Sequence, residues 1–412
     1  MPGLSGPTEA RWSGPFASLQ NVRYRQLWLG SMATFIGLRM HDVALGWLVL
    51  ELTDSPFYLG LVDFARYLPL LFFPLLGGYL ADTADRRRII MFIVALGALI
   101  TAVLAVSVQL GRANIWLILV LEFLAGCGFS IYFTVRQSVI GQVVEKRNLL
   151  NAFSLDFGGG SFVRILGPAL AGMLISLVGV ALSLYLEVVS YVSALFMFGR
   201  MRLHTGDRHS EETSIWQGFK EQWHYVRQNR DIFNLMVLSA VVIPFAMSYR
   251  TLMPAIARDV LSTGPAGLGL LVGASGAGAV VAALALAGGH DLRHKGAIVL
   301  SGAGLFGIAL ILLSLSRRFV PSLLLIAAGE SMAAVYQTLY KVVIQEKTPD
   351  EFRGRMTGMY ILIWGLLPLG SLLMGTIADW AGPPVAVGVG GGICVLFTFV
   401  WGVRRSSLVG LT

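Results

Sequence analysis

About twelve apolar runs, each long enough to cross a bilayer, follow one another along the 412 residues, and no other feature restricts the fold as much. A membrane span needs roughly 20 mostly apolar residues. The runs lie at 26–50, 57–81, 88–110, 114–142, 151–177, 180–201, 232–256, 266–289, 296–315, 321–344, 355–380 and 384–402. Backbone polar groups in hydrocarbon must be satisfied within their own segment, so runs of this length predict helices. Composition agrees. With glycine counted and tyrosine left out, about 65% of the chain is apolar, against roughly 45–50% in a soluble domain. Charged residues make up 13%, where about 25% is usual. A soluble fold could not bury that much apolar surface, so the chain is expected to be an all-α integral membrane protein.

Lysine and arginine set the orientation. With the N-terminus inside, 21 of them fall on the inner side, four on the outer side and six within spans, which predicts cytoplasmic termini. The polar segment 1–20 lacks the apolar core of a signal peptide, and the first run is expected to be retained. The net charge of +8 is thereby a topology signal, and no nucleic-acid partner is expected. Cys127 and Cys394 both lie in apolar runs, so neither a disulfide framework nor a thiolate metal site is expected. Gly302, Gly304 and Gly307 fit a dinucleotide fingerprint, but they lie inside a span with no strand before them, which reads as helix packing. With no zincin or Walker motif and no Ser-His-Asp set, the sequence predicts no enzyme, no cofactor and no metal site.

The one long polar interval divides the spans six and six. The expected organisation is a cytoplasmic segment 1–25, a six-helix bundle 26–201, a cytoplasmic linker 202–231, a second bundle 232–403 and a tail 404–412. In the linker Trp216, Phe219, Trp223 and Val226 recur at helical spacing, as in an interfacial helix. The halves echo each other: Gln142, Glu145, Gly167, Pro168 and Gly172 have counterparts in Gln345, Glu351, Pro368 and Gly370. Parallel halves of six spans are the repeat architecture of one transporter class.

On these residues the chain resembles the major facilitator superfamily. Gly78-Tyr-Leu-Ala-Asp82-Thr-Ala-Asp85-Arg86-Arg87 is similar to that superfamily's motif A, with Asp85 where a glycine is common. Val163-Arg-Ile-Leu-Gly167-Pro168-Ala-Leu-Ala171-Gly172 resembles motif C, associated with antiporters, with Val163 and Ala171 in place of two glycines. Leu48 to Pro56 and Pro349 to Arg355 resemble a bacterial subgroup of siderophore exporters and secretion carriers. The resemblance implies two six-helix bundles rocking about a central site in the bacterial inner membrane. It also implies a gate in which Asp82 meets the turn ending in Arg353 and Arg355, with Arg86 and Arg87 bracing neighbouring loops. Export of a small amphipathic compound against inward proton flow is the implied activity. Proton-symport uptake and a non-transporting receptor or scaffold are the alternatives. Small-molecule substrate, protons and lipid are the partners expected, and no protein partner is required.

Ionisable groups inside hydrocarbon are costly and call for a functional hypothesis. Asp42 and Asp63 both fall roughly 9 Å below the outer surface, each three residues from an arginine, Arg39 and Arg66. Two readings stay open. Asp42, with His41 beside it, is a titratable coupling site, or Arg39–Asp42 and Asp63–Arg66 are fixed ion pairs. Asp63, Glu122, Glu187 and Glu330 are further coupling candidates. Arg136 and Asp156 match in depth, which predicts an ion pair near the inner side, gating or static. Gly167, Pro168 and Gly172 let span five bend and approach a neighbour closely. Arg164 could contact an anionic substrate or pair with an acid, and Arg39 is a second candidate contact. The C-terminal half is poor in buried charge, so Phe245, Tyr249, Tyr336, Gln337, Tyr340 and Trp364 are the candidate lining there.

Overall fold

The computed structural model describes residues 16–73, 76–77, 79–80, 84–145, 148–201, 223–288, 294–349, 356, 359–360 and 362–404. Among them there are helices and turns but no strand. The long helices are α1 (Val22–Thr53), α2 (Pro56–Tyr67), α3 (Arg86–Gln109), α4 (Ile115–Val143), α5 (Leu149–Arg200) and α6 (Arg230–Ala246). They continue with α7 (Gly264–Ala287), α8 (Lys295–Leu315), α9 (Phe319–Lys347), α10 (Leu367–Ala381) and α11 (Pro383–Arg404). Ten helical stretches among the described residues are long and apolar enough to span a bilayer.

One of these, α5, has 52 residues, about 78 Å of helix and so two spans rather than one. It turns back at Gly179, whose φ of 80° lies where only glycine sits without strain. Its two arms are spans five and six. With α2, shorter because Pro69 sits in the 3-10 turn Leu68–Leu71 that follows it, the spans number about twelve. The polar caps are local. Asn21 and Asn114 accept from backbone N–H groups at the starts of α1 and α4. Asp85, the residue that departs from motif A, caps α3 by accepting from the N–H groups of Arg87 and Arg88.

The helices pack as two bundles of six. In the first, α1 and α3 lie along α5, and α4 lies against α2 and α3. In the second, α8 packs on α9 and α11, α7 on α9, and α6 and α10 on α11. Two crossings join the bundles, α5 with α7 and α2 with α10. In the segment 202–231, the turn at 223–228 lies against the second bundle. Val226 is buried in the core there, and the Tyr225 hydroxyl donates to the Lys347 carbonyl. Trp216 and Phe219, and with them most of the expected interfacial helix, lie outside the described residues.

Candidate functional site

Both crossings run backbone to backbone. A Cβ on Gly172 of α5 would stand 2.9 Å from the Cα of Gly269 in α7, and one on Gly269 would stand 3.0 Å from the Cα of Gly172. At the other crossing, a Cβ on Gly375 of α10 would stand 3.1 Å from the Cα of Gly60 in α2. Gly269 and Gly273, four residues apart on α7, both pack closely against span five. Gly167 instead faces α1, where a Cβ would stand 2.7 Å from the Cβ of Arg39.

The side away from the termini is tied further. Arg258 donates to the Leu50 carbonyl at 2.9 Å and to Asp54 at 2.6 Å, and Ser55 donates to Asp379. These groups come from opposite bundles; Leu50, Asp54 and Ser55 lie in the stretch from Leu48 to Pro56 that resembles the secretion carriers, and nothing in the sequence joins that stretch to Arg258 or Asp379.

Between the bundles lies a cavity of about 410 Å³, within the roughly 300–1,000 Å³ usual for small-molecule sites. Two helical lines break at its wall: α2 gives way after Tyr67, and the line of α6 passes through a 3-10 turn, Met247–Arg250. Interrupted helices at midplane are where transporters build binding sites. Four arginines, Arg39, Arg66, Arg164 and Arg250, and two aspartates, Asp42 and Asp63, line the cavity, with Trp364 and Pro168.

The predicted Arg39–Asp42 pair is present at 2.8 Å. The expected Asp63–Arg66 pairing gives way to other partners. Arg66 reaches from α2 to Asp42 at 3.0 Å and stands 3.6 Å from Glu122. Asp63 accepts from Thr251 of the opposite bundle at 2.5 Å. Asp42 is therefore held between two guanidinium groups. Behind it, away from the cavity, His41 lies between two carboxylates on different helices. Its Nε2 is 2.8 Å from Glu122 of α4 and its Nδ1 is 3.0 Å from Glu187 of α5. Thr101 of α3 donates to the other oxygen of Glu187 at 3.1 Å. All three ionisable groups are buried, His41 at 4%, Glu122 at 0% and Glu187 at 1% exposure.

Proton counting limits what this cluster can be. A neutral imidazole has one N–H and one lone pair, so it can satisfy only one ionised carboxylate by donation. Two ring-to-carboxylate contacts need two protons among the three groups, either as imidazolium or as imidazole with one carboxylic acid. With His41 charged, the cations His41, Arg66 and Arg39 balance Asp42, Glu122 and Glu187. Loss of one proton breaks a contact and leaves a net negative charge in a buried place, which is expensive.

In the second bundle Glu330, 1% exposed, accepts from the Tyr249 hydroxyl at 2.6 Å and from Arg250 at 2.9 and 2.6 Å. Arg164 crosses from the first bundle to 3.9 Å from the same carboxylate, the longest of these contacts. Tyr249, Tyr336 and Tyr340 are buried in the bundle core rather than on the cavity wall. Tyr336 shares a hydrogen bond with Ser239, and Tyr340 stacks between Tyr336 and Tyr360. Phe245 packs partly buried against the same core, and the Gln337 amide points at the Met247 sulfur. Of that expected lining, Trp364 alone borders the cavity.

Near the termini, Arg136 and Asp156 form the predicted ion pair, and Arg136 also donates to Ser31 at 2.7 Å. Arg87 donates to the carbonyls of Phe198 and Gly199, so it braces the end of α5 within its own bundle. Arg86 begins α3. Asp82, Arg353 and Arg355 lie outside the described residues, and the gate expected of them with them. Among the described residues no group of three or more His, Cys, Asp or Glu is placed to hold a metal ion.

The family model for transmembrane secretion effectors, within the major facilitator superfamily, matches residues 13–406. The chain belongs to that family. It is 24% identical to a staphyloferrin A transporter of Staphylococcus aureus, over 92% of this chain and 96% of that protein. It is 28% identical to the multidrug efflux pump Tap of Mycobacterium tuberculosis, over 82% of this chain and 83% of the pump. A bacterial homologue of the iron transporter ferroportin, crystallised in an inward-facing state, shares the fold. Its TM-score is 0.75 at 17% identity, covering 94% of this chain and 99% of that one. The all-α major facilitator fold and membership among transporters rather than enzymes thus stand on sequence and structure together.

Proposed function

We propose that the chain is a proton-coupled exporter of small amphipathic organic compounds in the bacterial inner membrane, with both termini cytoplasmic. The observation that carries the reading is the His41–Glu122–Glu187 cluster. It is buried inside one bundle, yet linked through Arg66 and Asp42 to the wall of the cavity between bundles. Loading and unloading one proton changes the charge balance of that wall, and alternating access follows if each protonation state favours a different side open. The secretion family and the relatives named for a siderophore and for multidrug efflux support export and the substrate class. The distribution of lysine and arginine supports the orientation.

In this reading Asp42 is the fixed counter-ion of two arginines, and the proton resides deeper, at His41 and its carboxylates. Asp63 is tied to Thr251 across the bundles, and Arg250, held by Glu330, lies on the facing wall. Arg164, loosely paired and partly exposed to the cavity, is the cation available to an anionic group on the substrate.

Inside-out vesicles with an acid interior and a pH-sensitive dye test the reading. Staphyloferrin A and compounds of the multidrug class are expected to trigger proton efflux. A compound that crossed in right-side-out vesicles, and only with an inward proton gradient, would replace export by uptake. With Arg164→Gln in the same vesicles, anionic compounds should lose affinity roughly 10- to 100-fold, the worth of a charged hydrogen bond of about 1.5–3 kcal/mol. Neutral compounds should be little changed. Equal loss for both would remove Arg164 from substrate recognition.

A further inference from the structure

We infer that protons leave the His41 cluster toward the side of the termini through the interior of the N-terminal bundle, along a hydrated conduit apart from the substrate cavity. The inference rests on the coupling role proposed above. A second cavity, of about 70 Å³, lies inside this bundle; His41 and Glu187 border it together with Thr34, Phe35 and Tyr132, while Arg66 and Phe129 border both cavities and form the partition between them. That volume holds a few water molecules. Gly97, Ala125 and Gly128 are among its lining, so small residues leave the space that larger ones would fill.

Two helix stripes run along it. On α1, His41, Leu38, Thr34 and Ser31 follow at steps of three and four, which places them on one face, with Ser31 about 15 Å from His41 along the axis. On α4 the same spacing joins Glu122, Ala125, Phe129, Tyr132 and Arg136. The stripes end at one junction, where Arg136 donates to Ser31 and pairs with Asp156, 15% exposed in its side chain. The Tyr132 hydroxyl is buried and faces Ser31 and Thr34 without a well-formed hydrogen bond to either. A buried polar atom left alone costs about 1–3 kcal/mol, and a water in the adjoining cavity would satisfy it.

Arg66 stands between the cluster and the substrate cavity, 3.6 Å from Glu122 and 3.0 Å from Asp42. A guanidinium keeps its protons and accepts none, so Arg66 carries none across, and at the far end the acceptor beside Arg136 is the Asp156 carboxylate. The charged and titratable groups around the cluster are Arg39 and Asp42 on α1, Asp63, Arg66 and Tyr67 on α2, and Glu122, Tyr132 and Arg136 on α4. On α5 they are Asp156, Glu187 and Tyr191, and α3 contributes Thr101, which is not ionisable. Toward Tyr132, the hydroxyls of Thr34 and Tyr132 accompany space for water. A proton leaving the cluster passes to a water oxygen, each water hands one on, and the last goes to the Asp156 carboxylate or to bulk water. Each step breaks one N–H or O–H bond and forms one O–H bond. A substrate in the central cavity therefore does not obstruct the proton.

Proton uncaging followed by time-resolved infrared spectroscopy tests this on the full chain in nanodiscs, with no substrate needed. Carboxyl bands are assigned by Glu122→Gln and Glu187→Gln. The Thr34→Val/Tyr132→Phe variant should slow the carboxyl response on the order of a hundredfold, the lower range for loss of a positioned proton carrier. Azide, a small weak acid able to ferry protons through the space, should restore the rate. Ala125→Leu, which fills the cavity, should slow it without azide rescue. An unchanged rate in both variants overturns the conduit, as does slowing in the Thr34/Tyr132 variant that azide leaves untouched. Carboxyl bands that do not respond to pH in the wild type at all sink the coupling reading itself, and the conduit with it.

Discussion

His41→Ala should lower the stability of the folded carrier by about 3–5 kcal/mol, the usual cost of removing one partner from a buried ionic group. The imidazole separates Glu122 from Glu187 and shares a hydrogen bond with each. Without it two buried carboxylates face a void with Thr101, Arg66 and Tyr191 near them. Adding Glu122→Gln and Glu187→Gln to the same protein should return most of the loss, since amides carry no charge to strand. Chemical unfolding in detergent, followed by far-UV circular dichroism, reads both changes. A His41→Ala protein as stable as wild type would show that the contacts are not those of a buried ionic cluster. The rescued triple variant should fold and still fail to couple protons, which separates the structural part of the cluster's work from the functional part.

The second large effect belongs to the crossings. Gly172→Val should arrest the carrier with the outer side open. In the present arrangement the backbones of α5 and α7 touch, and the first carbon of any side chain at 172 would stand 2.9 Å from the Cα and 3.0 Å from the N of Gly269. Backbone cannot step aside as a flexible side chain can, so the bundles must separate at that point. Overpacking of this kind costs about 1–3 kcal/mol, which shifts the closed-to-open ratio roughly 5- to 150-fold. In a Val272→Cys background, an impermeant thiol reagent added outside should label the cavity faster by a comparable factor, and transport should fall with it. Unchanged labelling together with full transport would mean that the crossing is not part of the seal.

Much of the fold was legible because hydrocarbon leaves a chain few options. Span number and the six-and-six division follow from run length, and the break between the runs 151–177 and 180–201 falls where Gly179 turns the chain. Depth along a helix was legible too: it paired Arg136 with Asp156, which form an ion pair, while Arg39–Asp42, one of two readings left open by their spacing, is present as a pair. Rotation about the helix axis was not. Arg66 and Asp63 are neighbours on α2, but the packing of α2 against α4 and α10 turns one toward Glu122 and the other toward Thr251. The cluster at His41 was visible only as three separate candidates, since it forms where α1, α4 and the second arm of α5 converge. Nothing in the sequence spacing of residues 41, 122 and 187 announces that. The tyrosines of the second bundle illustrate the same gap: residue type suggested a cavity wall, while helix rotation directs Tyr336 and Tyr340 into the core. The prolines at 69, 244 and 254 did mark where helices break beside the cavity, a signal that could have placed Arg66 and Arg250 there.

The central claim is that the proton carried by His41 and its two carboxylates drives movement of substrate without being needed for its passage. Proteoliposomes separate the two. Exchange of labelled for unlabelled substrate needs both faces of the carrier but no net proton flow, whereas accumulation needs the proton gradient. Measured with a compound identified in the vesicle assay, the Glu122→Gln/Glu187→Gln protein should exchange at close to the wild-type rate and accumulate nothing under a pH gradient. Gradient-driven accumulation at the wild-type level in that protein would contradict the account and move the coupling site elsewhere in the molecule.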